Sequence, residues 1–183
     1  MPSLLKGSCH CERVTFEVQS HTPYAYMYCY CSICRVTNGS GGFGINIMGQ
    51  TDTLKIKGEE YIKVFRAKRG TNKDGTVKYT TNERSYCTEC ASFLWAFDEA
   101  YAQWMYPFPS AIKSDLPQAS QINHIFTDSK PSWVPLPVLG YKTPEGKGEE
   151  LTDTQTGIKH RFYAEYPDEG IEQWHKRVGV FVE

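Results

Sequence analysis

The sequence predicts a mainly β fold that ends in a short helix. Two observations favour strands: aromatic residues make up 14% of the 183 residues, and short alternations of apolar and polar residues recur along most of the chain. A third observation concerns the helix, which is expected to begin with Pro167-Asp168-Glu169 and to end at Gly179, because these residue types favour the two ends of helices. Its apolar stripe consists of Ile171, Trp174 and Val178.

The predicted strands are short, and turn residues separate them. The first covers Glu12–Val18, with its apolar side chains on one face. Asn72-Lys73-Asp74-Gly75 predicts a hairpin turn, because an Asp-Gly pair tolerates positive φ. Tyr101–Tyr106 fits either a strand or a helical turn. The other segments predicted as strands are Tyr24–Tyr28, Phe43–Ile47, Leu54–Ile56, Ile62–Ala67, Thr76–Thr81 and Ile122–Phe126.

Residues 1–140 are expected to form one domain, since a chain of 183 residues is long enough to bury a single hydrophobic core. Residues 141–183 are expected to form an extension. Within it, the polar segment Thr143–Gly157 contains Gly and Pro and predicts a mobile loop, and the short helix is expected to pack on the domain.

The composition argues against nucleic-acid and membrane partners. There are 20 Lys and Arg residues and 21 Asp and Glu residues, a net charge of −1, so no basic surface for nucleic acid is indicated. No apolar run approaches the roughly 18 residues that span a membrane, and the N-terminus lacks the apolar core of a signal peptide. We therefore expect a cytoplasmic protein with reduced thiols. The sequence does not indicate its oligomeric state.

The seven cysteines fall into tight clusters, which favours metal binding over disulfides in a reducing compartment. A closed structural zinc site takes four ligands, and seven cysteines divide naturally into four plus three. The set of four pairs two sequence motifs, and its paired spacing predicts a structural zinc site that joins distant parts of the chain. In extended chain the first two of these cysteines would point to the same face. The four are Cys9, Cys11, Cys87 and Cys90.

The remaining three, Cys29, Cys31 and Cys34, predict a zinc site with an open fourth position. Three thiolates give the zinc a formal charge of −1, which weakens it as an activator of water and suits it to a substrate thiol. The expected chemistry is addition of a thiol to a carbonyl, or the reverse. Two alternatives are a closed site completed by a histidine and a redox cluster without metal. The histidines considered as a fourth ligand are His10, His21 and His124.

These motifs resemble those of the glutathione-dependent formaldehyde-activating enzyme family, which also contains proteins of the centromere protein V type. The resemblance covers roughly residues 7–136. The matching segments are Gly7-Ser8-Cys9-His10-Cys11, Cys29-x-Cys31-x-x-Cys34-Arg35, Tyr86-Cys87-Thr88-Glu89-Cys90 and, after His124, Lys130-Pro131-Ser132-Trp133.

The resemblance implies an Mss4-like fold of twisted antiparallel β-sheets. It also implies two zinc ions per chain: a structural ion on the four-cysteine set and a catalytic ion, the more labile of the two, on the three-cysteine set. The implied activity is that of a carbon–sulfur lyase, similar to an S-hydroxymethylglutathione synthase, with glutathione and a small aldehyde as partners. Candidate substrate residues are Arg35, His124 and Trp133.

Two positions depart from the family pattern. Many members have His where this chain has Tyr30, and many have Gly where it has Ala91. Alanine is acceptable at the second position unless the backbone there needs positive φ. Because Tyr30 replaces a histidine next to the predicted open zinc, the motif does not identify the substrate. The alternatives are therefore a related zinc enzyme with a larger substrate, and a zinc-stabilised module that binds a protein without catalysis.

Overall fold

The computed structural model describes residues 2–38, 41–136 and 147–181. In these ranges the chain is mainly β and ends in a short helix, as predicted. The helices are α1 (Ser32–Asn38) and α2 (Ile171–Arg177). The strands are β1 (Ser3–Ser8), β2 (Thr15–Ser20), β3 (Thr22–Cys29), β4 (Gly44–Gln50), β5 (Lys55–Lys57), β6 (Ile62–Thr71), β7 (Val77–Cys87), β8 (Phe93–Phe97), β9 (Trp104–Pro107), β10 (Gln121–Ile125), β11 (Lys147–Thr152) and β12 (Lys159–Tyr163).

The chain divides into two compact units. The first comprises Met1–Pro23 and Ile47–Asp115, and the second comprises Tyr24–Asn46 and Leu116–Glu183. The four cysteines predicted as one set all belong to the first unit, and the other three all belong to the second. The boundary predicted between residues 140 and 141 lies outside the described residues, and that division of the chain stays a prediction.

The first unit contains antiparallel sheets. One has the strand order β1-β2-β5, and β4, β9, β8, β7 and β6 pair in that order in the other. Val14, Phe16 and Val18 are buried, as their alternation predicted, and Phe16 meets Trp95 edge-on at 5.1 Å. The strand begins at Thr15 rather than at the predicted residue 12, because the chain before it turns: the Cys9 amide donates to the carbonyl of Val14.

The hairpin between β6 and β7 confirms the turn predicted at residues 72–75. Gly75 has a φ of +86°, which only glycine adopts easily. The Asp74 carboxylate accepts hydrogen bonds from the amide and hydroxyl of Thr76 at 2.9 and 2.6 Å and so stabilises the turn. The ambiguous segment 101–106 contains the start of β9 and is a strand from Trp104 onward.

The second unit contains parallel pairs, which the prediction of antiparallel sheets did not include. Its strand order is β11-β12-β10-β3, and β10 pairs in parallel with both β3 and β12. Parallel neighbours arise here because β3, β10 and β12 are far apart in the sequence and are not joined by hairpins. This register places His124 of β10 opposite Tyr28 of β3 on one side and Phe162 of β12 on the other.

The C-terminal segment contains more regular structure than predicted. Part of the predicted loop 143–157 is β11, which pairs with β12; residues 143–146 lie outside the described ranges. Glu150 of β11 forms an ion pair with Arg161 of β12 at 2.7 Å, which offsets the low strand propensity of this polar sequence.

Helix α2 has a shorter apolar stripe than predicted. Trp174 stacks on Tyr26 at 4.8 Å. Val178 follows the last helical residue and is 39% exposed, because the helix ends one residue earlier. The side chain of Ile171 lies outside the described part of the structure. Gly179 has a φ of +73°, in agreement with its predicted role after the helix end. No helix within the described ranges is long and apolar enough to cross a membrane.

Candidate metal centres

The four cysteines of the first unit converge from two hairpin turns. Cys9 and Cys11 lie in the turn between β1 and β2, and Cys87 and Cys90 lie at the end of β7 and in the turn that follows. All four sulfur atoms lie within 4.8 Å of one another. The Cys9–Cys11 and Cys11–Cys87 sulfur distances are 3.5 and 3.8 Å. A tetrahedral zinc with Zn–S bonds of about 2.3 Å separates its sulfurs by about 3.8 Å, so these residues fit a zinc ion.

Backbone and side-chain hydrogen bonds hold the two turns together. The Val14 amide donates to the Cys9 sulfur at 3.3 Å. The Ser92 hydroxyl accepts a hydrogen bond from the His10 amide of the other turn at 3.1 Å and hydrogen-bonds with the Cys90 sulfur at 3.2 Å. The first pair was expected to converge through extended chain, whereas the structure forms a turn there. The predicted grouping is observed, with a different local geometry.

The residue that follows the second cysteine of each pair has a left-handed backbone. These residues are Glu12, with a φ of 60°, and Ala91, with a φ of 58°. The Ala91 amide donates to the carbonyl of Cys87 at 2.8 Å, and the left-handed backbone at Ala91 then turns the chain so that the Ser92 carbonyl accepts a hydrogen bond from the Cys87 amide at 2.9 Å. Positive φ brings a β-carbon close to the backbone, so the alanine at this position is strained.

The three cysteines of the second unit form a local cluster. Cys29 ends β3, Cys31 directly precedes α1, and Cys34 lies in the first turn of α1. Their sulfur atoms all lie within 4.8 Å of one another. The Cys34 amide donates to the Cys31 sulfur at 3.4 Å, and the Arg35 amide donates to the Cys31 carbonyl at 3.1 Å. The start of α1 therefore folds the chain so that three nearby thiols face one point.

Among the three thiols of the cluster, the most exposed one, Cys31, favours the thiolate form most. Cys29 and Cys34 are 4% and 9% exposed, whereas Cys31 is half-buried. Hydrogen bonds from the side chains of Cys29 and then Cys34 lower the pKa of Cys31 to about 2. The same contact with Cys31 is the main reason that the pKa of Cys29 is raised. A buried group of sulfur donors with one thiolate suits a soft divalent cation such as zinc.

Among the described residues, no fourth His, Cys, Asp or Glu joins this three-sulfur group. Neither His10 nor His21 belongs to it. His124, another residue considered as a ligand, is fully buried and uses both ring nitrogens elsewhere. Its Nδ1 hydrogen-bonds with the Tyr30 hydroxyl and its Nε2 with Nδ1 of His160, both at 2.9 Å. Burial, followed by the neighbouring His160, lowers the pKa of His124 to about 3, so its ring is neutral at pH 7.

The other candidate substrate residues occupy different environments. Arg35 lies in α1 and is half-buried, and its Nε atom is buried without a hydrogen-bond partner in the described part of the chain. Trp133 is 66% exposed, and its indole ring lies against the backbone of Gly42. The substrate roles of Arg35, His124 and Trp133 stay predictions.

Two residues near the three-cysteine segment were not identified from the sequence: His160, which hydrogen-bonds with His124, and Gly44, which lies next to Cys34. His160 was missed because β12 was not predicted. Gly44 was missed although it belongs to the glycine-rich segment after the cysteine motif; a β-carbon there would lie 3.0 Å from that of Cys34 and 3.2 Å from the Cys34 carbonyl oxygen. The absence of a side chain at Gly44 lets β4 pass close to α1 at Cys34.

Comparison with known proteins agrees with this geometry. The family model described as "Glutathione-dependent formaldehyde-activating enzyme" matches residues 4–129, a range that includes all seven cysteines. The chain belongs to this family. A Halomonas elongata protein named "Putative glutathione-dependent formaldehyde-activating enzyme" is 40% identical over 177 residues, which cover 97% of this chain and 98% of that protein.

Among solved structures, a crystal structure of a Rhodobacter sphaeroides protein is similar to this member of the formaldehyde-activating family. It is 18% identical, covers 62% of this chain and 99% of its own, and has a TM-score of 0.44.

Replacing Ala91 by glycine is expected to stabilise the protein. Glycine adopts positive φ without the clash of a β-carbon, and this gain exceeds the entropy that glycine adds to the unfolded chain. We expect the free energy of unfolding to rise by about 0.5–1 kcal/mol, measured by denaturant unfolding at a fixed zinc concentration. The control is Ala100→Gly, at an exposed position without positive φ, which should not stabilise. A destabilised Ala91→Gly protein would contradict the strain inferred here.

Replacing Gly44 by alanine is expected to displace Cys34 and to weaken metal binding at the three-cysteine cluster about tenfold, a size typical of changes next to metal ligands. Zinc competition with a chelator measures the affinity. Gly41→Ala is the matched control, because a β-carbon at Gly41 would meet Phe43 at an ordinary 3.5 Å. Unchanged affinity in Gly44→Ala would show that the close approach of β4 to α1 does not position Cys34.

Proposed function

We propose that the protein is a zinc-dependent enzyme of the carbon–sulfur lyase type that acts on thiol adducts of small aldehydes, with glutathione as the thiol and formaldehyde as the aldehyde. One observation supports it above the others: three converging cysteine sulfurs, with no fourth ligand among the described residues, in a chain of this family. The name of a relative that is 40% identical over nearly its whole length includes glutathione and formaldehyde, which supports these two as the thiol and the aldehyde.

Cys29, Cys31 and Cys34 would hold the catalytic zinc. Bound there, zinc supplies a soft Lewis acid that favours a substrate thiol in its thiolate form. The half-buried Cys31 marks the side from which a substrate approaches, since Cys29 and Cys34 are buried. Three thiolate ligands keep the site electron-rich, which favours binding of sulfur over activation of water.

The reaction balances without a redox partner. The thiol loses its S–H proton, its sulfur forms a bond to the carbonyl carbon of the aldehyde, and the carbonyl oxygen gains a proton. The product is a hemithioacetal, and the reverse reaction breaks the same carbon–sulfur bond. Atoms and electrons balance because one proton moves from sulfur to oxygen.

Arg35 and Trp133 are proposed to bind the substrate. The buried Arg35 Nε has a free hydrogen-bond donor among the described residues and belongs to the same helix as Cys34. A guanidinium matches a carboxylate, of which glutathione has two. Trp133 offers an exposed aromatic face of the kind that binds small organic ligands.

Cys9, Cys11, Cys87 and Cys90 are proposed to hold a structural zinc. They join the β1–β2 turn to the β7–β8 turn, and Cys11 and Cys87 are separated by 76 positions in the sequence. Closing so long a segment through metal ligands makes zinc binding part of the folding free energy.

A cytoplasmic location is proposed on chemical grounds. All seven cysteines are free thiols in the structure. Thiolate zinc sites and a thiol co-substrate both require a reducing environment.

Metal analysis of cysteine variants tests the assignment of the two sites. We expect about two zinc ions per chain in the wild type, and about one in a folded Cys31→Ser protein. Cys87→Ser should unfold, because it breaks the site that joins distant turns. Elemental analysis and circular dichroism measure these outcomes. Unfolding by Cys31→Ser but not by Cys87→Ser would reverse the two roles.

Activity is tested by following hemithioacetal formation from glutathione and 13C-labelled formaldehyde with NMR. The wild type should accelerate exchange between formaldehyde and its adduct, and Cys31→Ser should lose this activity, whereas Ser32→Ala at an exposed position of α1 should retain it. A fully loaded wild type without acceleration would favour the non-catalytic binding module. Acceleration only with a bulkier aldehyde would favour the enzyme with a larger substrate.

A further inference from the structure

A buried chain of side chains connects the three-cysteine cluster to the C-terminal segment. Tyr30 lies between Cys29 and Cys31, and its hydroxyl hydrogen-bonds with His124 at 2.9 Å; His124 in turn hydrogen-bonds with His160 at 2.9 Å. The three residues are 1%, 0% and 4% exposed. The chain therefore runs from the cysteine motif through β10 to β12, which lies outside the residues 4–129 that match the family.

The direction of these hydrogen bonds follows from burial. His124 is the single partner of the Tyr30 hydroxyl within the described part of the structure, so the hydroxyl satisfies its proton only by donating to Nδ1 of His124. A neutral His124 then carries its proton on Nε2 and donates it to Nδ1 of His160. His160, whose pKa is also lowered mainly by burial, carries its own proton on Nε2.

Tyr30 is fixed by its main chain as well as by its side chain. Its amide donates to the carbonyl of Ile125 at 3.0 Å, next to the residue that holds its hydroxyl. The His124 ring is itself oriented by Phe162, stacked at 4.7 Å, and by Tyr28, which meets it edge-on at 5.4 Å. The peptide segment that connects Cys29 to Cys31 is thus attached to β10 at two points.

We propose that Tyr30, His124 and His160 form a positioning chain that pre-organises Cys29 and Cys31 for metal binding, so that the metal affinity of the three-cysteine cluster depends on β12. The physical reason is that a cluster without a fourth protein ligand needs its segment ordered in advance. Otherwise metal binding has to supply the ordering free energy. The proposal rests on the metal site of the proposed function but not on its substrate.

This role also explains why the C-terminal segment belongs to the second unit with the cluster. His160 is a positioning residue in this scheme, because it acts on the sulfurs through His124 and Tyr30.

The test is a cobalt(II) titration of the full-length chain, in which thiolate-to-cobalt absorption reports each site and Cys31→Ser identifies the three-cysteine event. Tyr30→Phe and His160→Leu should each weaken that event about tenfold, the lower end of the range for supporting residues of metal sites. The four-cysteine event should not change. His160→Asn should restore affinity, because the Asn Oδ1 replaces Nδ1 as the acceptor. The control is Tyr28→Phe, which keeps the ring that meets His124 edge-on and removes a hydroxyl outside the hydrogen-bonded chain; it should bind metal like the wild type.

Wild-type affinity in Tyr30→Phe and His160→Leu would overturn the proposal and leave the proposed function intact. A wild type without any event that Cys31→Ser removes would overturn both. If His160→Leu does not fold, 15N NMR of histidine-labelled wild type decides instead. It should show His124 and His160 protonated on Nε2 and unprotonated on Nδ1; the opposite tautomers would contradict the chain.

Discussion

The close approach of thiol groups is the constraint on which the rest of the structure depends. Thiolates are the form that binds metal, and thiolates a few ångströms apart repel one another unless a cation or shared protons lie between them. The first unit brings four sulfurs together from two turns, and the second brings three together from six residues. Each unit is therefore arranged around a group that is favourable only when its charge is compensated.

The two sulfur groups differ in how far apart their cysteines lie in the sequence, and therefore in how much of the chain a bound metal would constrain. In the first unit the metal would hold distant turns in place, and Ser92 already connects them through the His10 amide and the Cys90 sulfur. In the second unit the cysteines are close in sequence, so a metal there constrains little of the chain. The contacts that the fold supplies there are the close approach of Gly44 to Cys34 and the hydrogen bonds from Tyr30 to Ile125 and His124 of β10.

The sequence predicted which cysteines group together, but it did not predict helix α1 or His160, which lie around the three-cysteine cluster. Cysteine spacing reports ligand sets directly, because few other roles require clustered thiols in a reducing environment. Helix α1 lacks a sequence signal because Val36, Thr37 and Asn38 are weak helix formers. His160 lies beside His124 only through the parallel register of β10 and β12, which no local pattern encodes. Alanine at position 91 was expected to be acceptable only if the backbone there did not need positive φ. Its φ of 58° shows that the backbone does adopt this conformation.

The burial of His124 makes it costly for this residue to contact a substrate directly. A ring that is fully buried, neutral and hydrogen-bonded at both nitrogens can reach a substrate only after it gives up a hydrogen bond, and the partner left behind would be an unsatisfied buried polar group. That cost favours a structural role for His124 over direct contact with a substrate. Half-buried Cys31 and exposed Trp133 are accessible without that cost, whereas the Nε atom of Arg35 is buried. The hydrogen bonds of His124 instead connect the Cys29–Cys31 segment to β12, through Tyr30 on one side and His160 on the other.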